Sequence, residues 1–167
     1  MRGPERLNTS HDTSSFQNGK HVVLDEWLQK RAIASDGLSA RTYVICADDA
    51  PLRVVGYYAL AATKEQRQAL PSAKTRQGMP EEVPLLLIGR LAIDASYQGR
   101  GLGGDLLRDA LSRCLAISEV AGVRAVITHA IDEDAAMFYR RYGFVLSPLG
   151  DRLMLLPIEK IRAAISS

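Results

Sequence analysis

Between Tyr97 and Leu107 the chain reads YQGRGLGGDLL, with four glycines between positions 99 and 104 running straight into a leucine-rich segment. Glycines between a strand and a helix let backbone N–H groups come close to an anion, and the helix N-terminus adds partial positive charge. The chemistry that this spacing suits is phosphate binding. Two signatures overlap in it: Gly99, Gly101 and Gly104 spell G-x-G-x-x-G, while Gln98, Gly101 and Gly103 spell Q-x-x-G-x-G.

The first spelling is the dinucleotide fingerprint, which needs the loop directly after a strand and an acidic residue about 20 positions on to hold a ribose hydroxyl. Here DASYQ separates the strand-like LLLIGRLAI (85–93) from the glycines, and the next strand ends in THAID well beyond that distance. No G-K-[ST] is present, which excludes a P-loop. The second spelling holds the pyrophosphate of coenzyme A in a different fold. A plain tight turn with close helix packing is the remaining reading of the glycines.

A second cluster lies in FYRRYGF, where Phe138, Tyr139 and Tyr142 are partial neighbours on a helical face. Most helix aromatics pack, so by itself Tyr139 is as well explained by the core as by chemistry. His129, alone in a strand-like run, reads as a hydrogen-bonded structural residue. Asp132, Glu133 and Asp134 read as charge at a helix N-terminus. The three histidines show no metal-ligand spacing, and Cys46 and Cys114 sit in apolar contexts that suit buried reduced thiols. No metal is expected.

The elements that must position these residues follow from periodicity. VVLDEWLQKRAI (22–33) puts Leu24, Trp27, Leu28 and Ala32 on one helical face. RTYVICA (41–47) and RVVGYYALAA (53–62) form an antiparallel hairpin around ADDAPL, and 63–84, with three prolines, reads as a long connection. The strand 85–93 and the glycine loop lead into a helix from about Gly101 whose Leu102, Leu106, Leu107, Ala110, Leu111, Cys114 and Leu115 follow helical spacing. VRAVITHAI (123–131) is a buried strand, DEDAAMFYRRYG (132–143) a short helix closed by glycine, and FVLS (144–147) with DRLMLLPI (151–158) a final strand pair.

At 167 residues the chain fits one domain, 1–167, and 47% apolar with 24% charged residues is a globular composition without a membrane-length apolar run. The polar N-terminus lacks a signal-peptide core, so a cytoplasmic protein is expected. A net charge of +2 is too small to argue for nucleic acid by itself.

The ordered set of LLLIGRLAI, SYQGRGLGGDLL, AVITHA and AAMFYRRYGF resembles the acetyl-CoA-binding half of the GNAT superfamily of N-acetyltransferases. More narrowly, LDEWLQKRA, RTYVICA, VVGYYALA, GRLAIDASYQGRGLG and FYRRYGF resemble the acetyltransferase toxins of bacterial toxin–antitoxin pairs, over roughly residues 5 to 157. The resemblance implies an α/β (α+β) GNAT fold: a mixed, mostly antiparallel central sheet flanked by helices, with acetyl-CoA between splayed parallel strands. Main-chain groups of Leu91, Ala92 and Ile93 would bind pantetheine. Gln98, Gly99, Arg100, Gly101, Leu102, Gly103 and Gly104 would cradle the pyrophosphate, and Phe138 would also contact the cofactor. Tyr139 would be the general acid that protonates the departing thiolate.

The implied reaction is acetylation of the α-amino group of aminoacyl-tRNA, which stops translation. The implied partners are aminoacyl-tRNA, a ribbon-helix-helix antitoxin, a second copy of the chain, and DNA only through the antitoxin complex. Attack on a thioester needs a neutral amine, and an α-amino group with pKa near 7.7–8.0 is far closer to neutral at pH 7 than a lysine at about 10.4. The lack of an obvious base carboxylate on the middle strands fits that substrate. Among many scattered basic residues, Lys74 and Arg76 in the long connection and Arg90 beside the pantetheine strand are the expected tRNA contacts. The alternatives are a GNAT enzyme for a small amine or protein N-terminus, and a non-catalytic acyl-CoA sensor.

Overall fold

The computed structural model describes residues 1–166; Ser167, the last residue of the expected domain, and the side chain of Arg2 lie outside that description. The described elements run β1 (Arg2–Arg6), α1 (Val22–Lys30), α2 (Ala32–Ser35), β2 (Arg41–Cys46), β3 (Val54–Gln66), α3 (Ala73–Arg76), β4 (Glu82–Ile93), α4 (Leu102–Ser118), β5 (Ala125–His129), α5 (Glu133–Arg141), β6 (Val145–Leu146), β7 (Leu153–Pro157) and α6 (Ile161–Ile165). The strands form one sheet in the order β1-β2-β3-β4-β5-β7-β6. Pairs β1–β2, β2–β3, β5–β7 and β6–β7 are antiparallel, and β4–β5 is parallel. This is the mixed, mostly antiparallel sheet with flanking helices that the sequence led us to expect.

Contacts divide the chain into two units, each assembled from two separate stretches: Met1–Ala61 with Gly89–Ala110, and Ala62–Ile88 with Leu111 onward. In the first unit the apolar face of α1 supplies Leu24 and Leu28, which pack with Phe16, Val44, Val54, Tyr57 and Ala92. Trp27 joins them half-buried, stacked on Tyr57 with ring centroids 6.0 Å apart. The second unit has its own core of Leu70, Val83, Leu85, Ala125, Ile127, Leu153 and Leu155.

The structure departs from the expected elements in three places. The polar N-terminus forms a strand, β1, whose backbone pairs with β2 from Arg2↔Cys46 to Arg6↔Tyr43. Second, β3 continues to Gln66, with burial alternating along Ala61–Gln66 as in a strand with one solvated face. Third, the rest of 63–84 is structured: Ser72 and Thr75 make a reciprocal capping box at α3, and Arg76 Nη1 donates to Leu70 O at 2.9 Å. Local side-chain-to-backbone bonds, which apolar periodicity does not register, hold this segment.

The β4–β5 register covers Leu85↔Ala125 to Leu87↔Ile127, although β4 itself runs on to Ile93. In the first unit, Gly56 on β3 allows Ile45 and Ile93 to close over it. A Cβ there would stand 2.8 Å from Ile45 Cγ1 and 2.9 Å from Ile93 Cδ1. Overpacking of this kind typically costs about 1–3 kcal/mol. Gly56→Ala should therefore lower the melting temperature by several degrees and, by pushing Ile93, weaken acetyl-CoA binding. Unchanged melting and affinity would mean that both isoleucines find other rotamers.

Among the described residues, no helix is long and apolar enough to cross a membrane.

Candidate active site

In the first unit, the end of β4 and the glycine loop are tied together by Asp94 and Asn18, which sequence reading passed over, and by Gln98 and Arg100, which it assigned to the pyrophosphate. Asp94, 3% exposed, accepts the backbone N–H of Ser96 at 2.9 Å and of Gln17 at 3.0 Å. Asn18 Nδ2 donates to Ile93 O at 3.1 Å, and Gln98 Nε2 donates to the same carbonyl at 3.0 Å and to Asn18 O at 2.8 Å. Gln98 therefore anchors the loop through its side chain. Arg100 donates to Ser96 O at 3.3 Å and lies over the Tyr97 ring, 4.7 Å from its centroid, which keeps its cation on the loop.

Gly99 and Gly101 have φ of +78° and +79°, and a Cβ on either would meet nothing within 4 Å. The glycines are thus needed for backbone conformation and leave open space above the loop. The first bond of α4 here runs from Asp105 N–H to Gly101 O. The N–H groups of Leu102, Gly103 and Gly104 precede it, as the orphan donors of a helix N-terminus do. Gly99 and Gly101 are exposed, Gly103 is half-buried and Gly104 is buried, so the two outer glycines with the orphan donors and the positive helix end are what can seat an anion. Leu91 is half-buried, and Ala92 and Ile93 are buried.

In the second unit, Asp132 caps α5 by accepting Ala135 N–H at 2.8 Å; acidic residues open the helix and Arg140 and Arg141 close it. Gly143, with φ +94°, then turns the chain. The capped helix fixes Tyr139, 6% exposed, between Phe138 and Phe144, with ring centroids 5.2 Å and 5.3 Å away. Phe138 is half-buried. Burial pushes the Tyr139 phenol up to about 12, opposed by a side-chain hydrogen bond with Thr128. The phenol keeps its proton at neutral pH. His129, outside the catalytic set, is exposed at the end of β5.

The expected tRNA contacts fall in different settings. Arg90, in the first unit, lies over Trp27 at 4.5 Å from the ring centroid, and no hydrogen bond among the described residues occupies its donors. In the second unit Lys74 is exposed, whereas Arg76 holds Leu70 O. Lys74 shares a groove of about 790 Å³ with Arg141, Lys160, Tyr142 and Glu159. Arg124 holds two of its lining residues from behind the lining itself, donating to both Glu159 oxygens at 2.7 and 3.1 Å and to Thr75 O at 3.1 Å. The hydrogen bond from Arg124 holds the Glu159 carboxyl below its ordinary range. Arg141 and Lys160 were not singled out from sequence, because only the fold sets them beside Lys74.

Among the described residues one trio, Glu5, His11 and Cys46, brings donor atoms within 4.8 Å of one another. His11 Nδ1 accepts Asn8 N–H at 3.0 Å, and Nε2 lies 3.1 Å from Glu5 Oε1. A ring that accepts at Nδ1 carries its proton at Nε2 and gives it to Glu5, so neither nitrogen offers a free lone pair to a cation. Cys46 and Cys114 are buried and not joined in a disulfide, and burial raises Cys114 to about 12.

Known proteins share this fold. Residues 39–146 match the family described as acetyltransferase (GNAT) domain. The chain is 39% identical over 163 residues to the tRNA-acetylating toxin of Mycobacterium tuberculosis, covering 97% of this chain and 95% of that protein. Among solved structures it resembles AtaT complexed with acetyl-methionyl-tRNAfMet, with 28% identity, a TM-score of 0.87, and coverage of 95% of this chain and 96% of that one. It also resembles AtaTR bound with AcCoA, with 29% identity, a TM-score of 0.81 and 95% of each chain covered. The fold, the open glycine seat and a match across nearly the whole length have one source: the chain belongs to the GNAT acetyltransferase family.

Proposed function

We propose that this protein is a toxin that transfers acetyl from acetyl-CoA to the α-amino group of aminoacyl-tRNA and thereby blocks translation. The observation that carries the reading is the near-full-length likeness to a tRNA-acetylating toxin. Acetyl-CoA sits with its pyrophosphate on the N–H groups of 98–104 and its pantetheine along Leu91–Ile93, with Phe138 against the cofactor. Tyr139 protonates the departing thiolate. Asp94, the acidic side chain next to the pantetheine strand, already accepts two backbone N–H groups. An α-amine, largely able to attack without a strong base, suits a site whose buried carboxylate is so engaged.

The expected tRNA contacts are Lys74, Arg76 and Arg90, with Arg141 and Lys160 added by their place beside Lys74. The remaining proposals are a single domain over 1–167, action in the cytoplasm where charged tRNA is found, a ribbon-helix-helix antitoxin as partner, a second copy of the chain, and DNA reached only through the antitoxin.

The test is acetylation of a charged tRNA pool with labelled acetyl-CoA, followed by identification of the modified aminoacyl group. Label on the amino acid of tRNA is expected. Activity on small amines or protein N-termini without tRNA would replace this substrate, and binding without turnover would make the protein an acyl-CoA sensor. In the same assay, charge reversal at Lys74 and Arg90 should weaken tRNA binding and leave acetyl-CoA affinity intact. Each lost phosphate contact should flatten the slope of log affinity against log salt by about one. Insensitivity to both mutations and to salt would remove the basic track.

A further inference from the structure

All four polar atoms of Asn18 are engaged, with partners in three places of the first unit. On the α1 side, its backbone N–H donates to Asp25 Oδ1 at 2.8 Å, and its Oδ1 accepts the N–H of His21, the residue before the helix, at 3.1 Å. Its Nδ2 donates to Ile93 O at the end of β4 at 3.1 Å, and its carbonyl accepts Gln98 Nε2 from the glycine loop at 2.8 Å. Gln98 Nε2 also reaches Ile93 O at 3.0 Å, so two side-chain amides fill both lone pairs of that carbonyl. The Asn18 amide faces one backbone donor, His21 N–H, and one backbone acceptor, Ile93 O. An amide in this orientation satisfies both.

We propose that Asn18 is a positioning residue for the acetyl donor: by holding Ile93 O and Gln98 it keeps the backbone N–H groups of the glycine loop converged on the coenzyme A pyrophosphate. This rests on the reading of that loop as the pyrophosphate seat. Backbone donors hold an anion only while they point at it, because hydrogen bonds weaken steeply as they bend. Glycines give the loop its shape but no side chains to brace it, so the brace comes from outside. Through Asp25 and His21 it reaches α1, which Leu24 and Leu28 fix in the core. The chain just before Asn18 runs along the same stretch, with Ala95 N–H on Gln17 O at 2.8 Å and Gln17 N–H on Asp94 Oδ2 at 3.0 Å. Gln98 spends both Nε2 protons on Asn18 O and Ile93 O, so its amide nitrogen serves the pyrophosphate by holding the loop.

The experiment compares two acetyl donors with the full chain, acetyl-CoA and S-acetylpantetheine, which keeps the thioester and pantetheine but has no pyrophosphate. Transfer to a charged tRNA pool is measured for the parent, Asn18→Ala and Asn18→Ser, and acetyl-CoA affinity by calorimetry. Both variants are uncharged, so neither repels a phosphate, and serine can still accept the N–H three residues on, as N-cap serines do, while falling short of Ile93 O. Each should weaken acetyl-CoA affinity and raise its KM about 10-fold, with kcat within about threefold. With S-acetylpantetheine, kcat/KM should stay within about twofold of the parent, because this donor makes no use of the pyrophosphate seat. An equal loss with both donors would make Asn18 merely structural, and acetyl-CoA affinity within about twofold of the parent would remove its role. Either result overturns the proposal, provided Gly103→Glu, run alongside, loses acetyl-CoA; if it does not, the pyrophosphate seat itself is overturned. If Asn18→Ala does not fold, Asn18→Ser, which keeps the bond to α1, decides by the same criteria.

Discussion

Tyr139→Phe is expected to cut single-turnover acetyl transfer by about 10²–10⁴-fold, or about 3–5 kcal/mol of barrier, the range that a general acid supplies. The substitution keeps the ring between Phe138 and Phe144 and removes only the hydroxyl, so acetyl-CoA affinity and the fold at neutral pH should change little. Growth arrest on expression should disappear with the rate. A rate within about threefold of the parent, in a folded variant, would return Tyr139 to the role of a core aromatic and leave the thiolate to be protonated by water.

The same variant carries a signature at alkaline pH. Burial raises the Tyr139 phenol from 10.0 to about 12, so the folded state holds this proton more tightly than the unfolded one. The associated stability is fully present below the unfolded value and is lost as pH rises from about 10 towards 12. Phenylalanine has no proton to lose there. Denaturant titrations across that window should show a shallower fall for the variant.

Gly103→Glu is expected to abolish acetyl-CoA binding while improving, if anything, the helix it enters. Position 103 lies in the first turn of α4, where a carboxylate complements the helix dipole by about 0.3–1 kcal/mol. The same carboxylate would occupy the anion seat and repel a pyrophosphate. Calorimetry should show affinity at least about 100-fold weaker, near 3 kcal/mol, with a native circular dichroism spectrum. Affinity within about threefold in the folded variant would show that the pyrophosphate lies elsewhere.

Much of this architecture was legible because its signals are local. The α4 leucines repeat at helical spacing, Asp132 and Gly143 bracket α5, and the glycine loop and FYRRYGF are short motifs. What escaped depends on distant partners or on backbone alone. β1 carries Pro4 and charged residues, which demote a run as a strand, yet its backbone groups pair with β2. Asp94 and Asn18 gain their roles from bonds that span 77 and 75 residues, and no window along the chain contains both ends. Arg76 shows the reverse case: a basic residue read as a substrate contact spends a donor on Leu70 O.

The interleaving of the two units has a consequence during synthesis. All of the first unit, with the glycine loop, lies before Leu111, while the second cannot be completed until the segment from Leu111 onward has been made, and β5 gains its partner β7 near the end of that segment. At about 5–20 residues per second, several seconds separate the two. A nascent chain thus presents its glycine loop well before it has both Tyr139 and the β7 strand that completes the sheet beside β5. The glycine loop therefore leaves the ribosome while the strand pair of the second unit is still unmade.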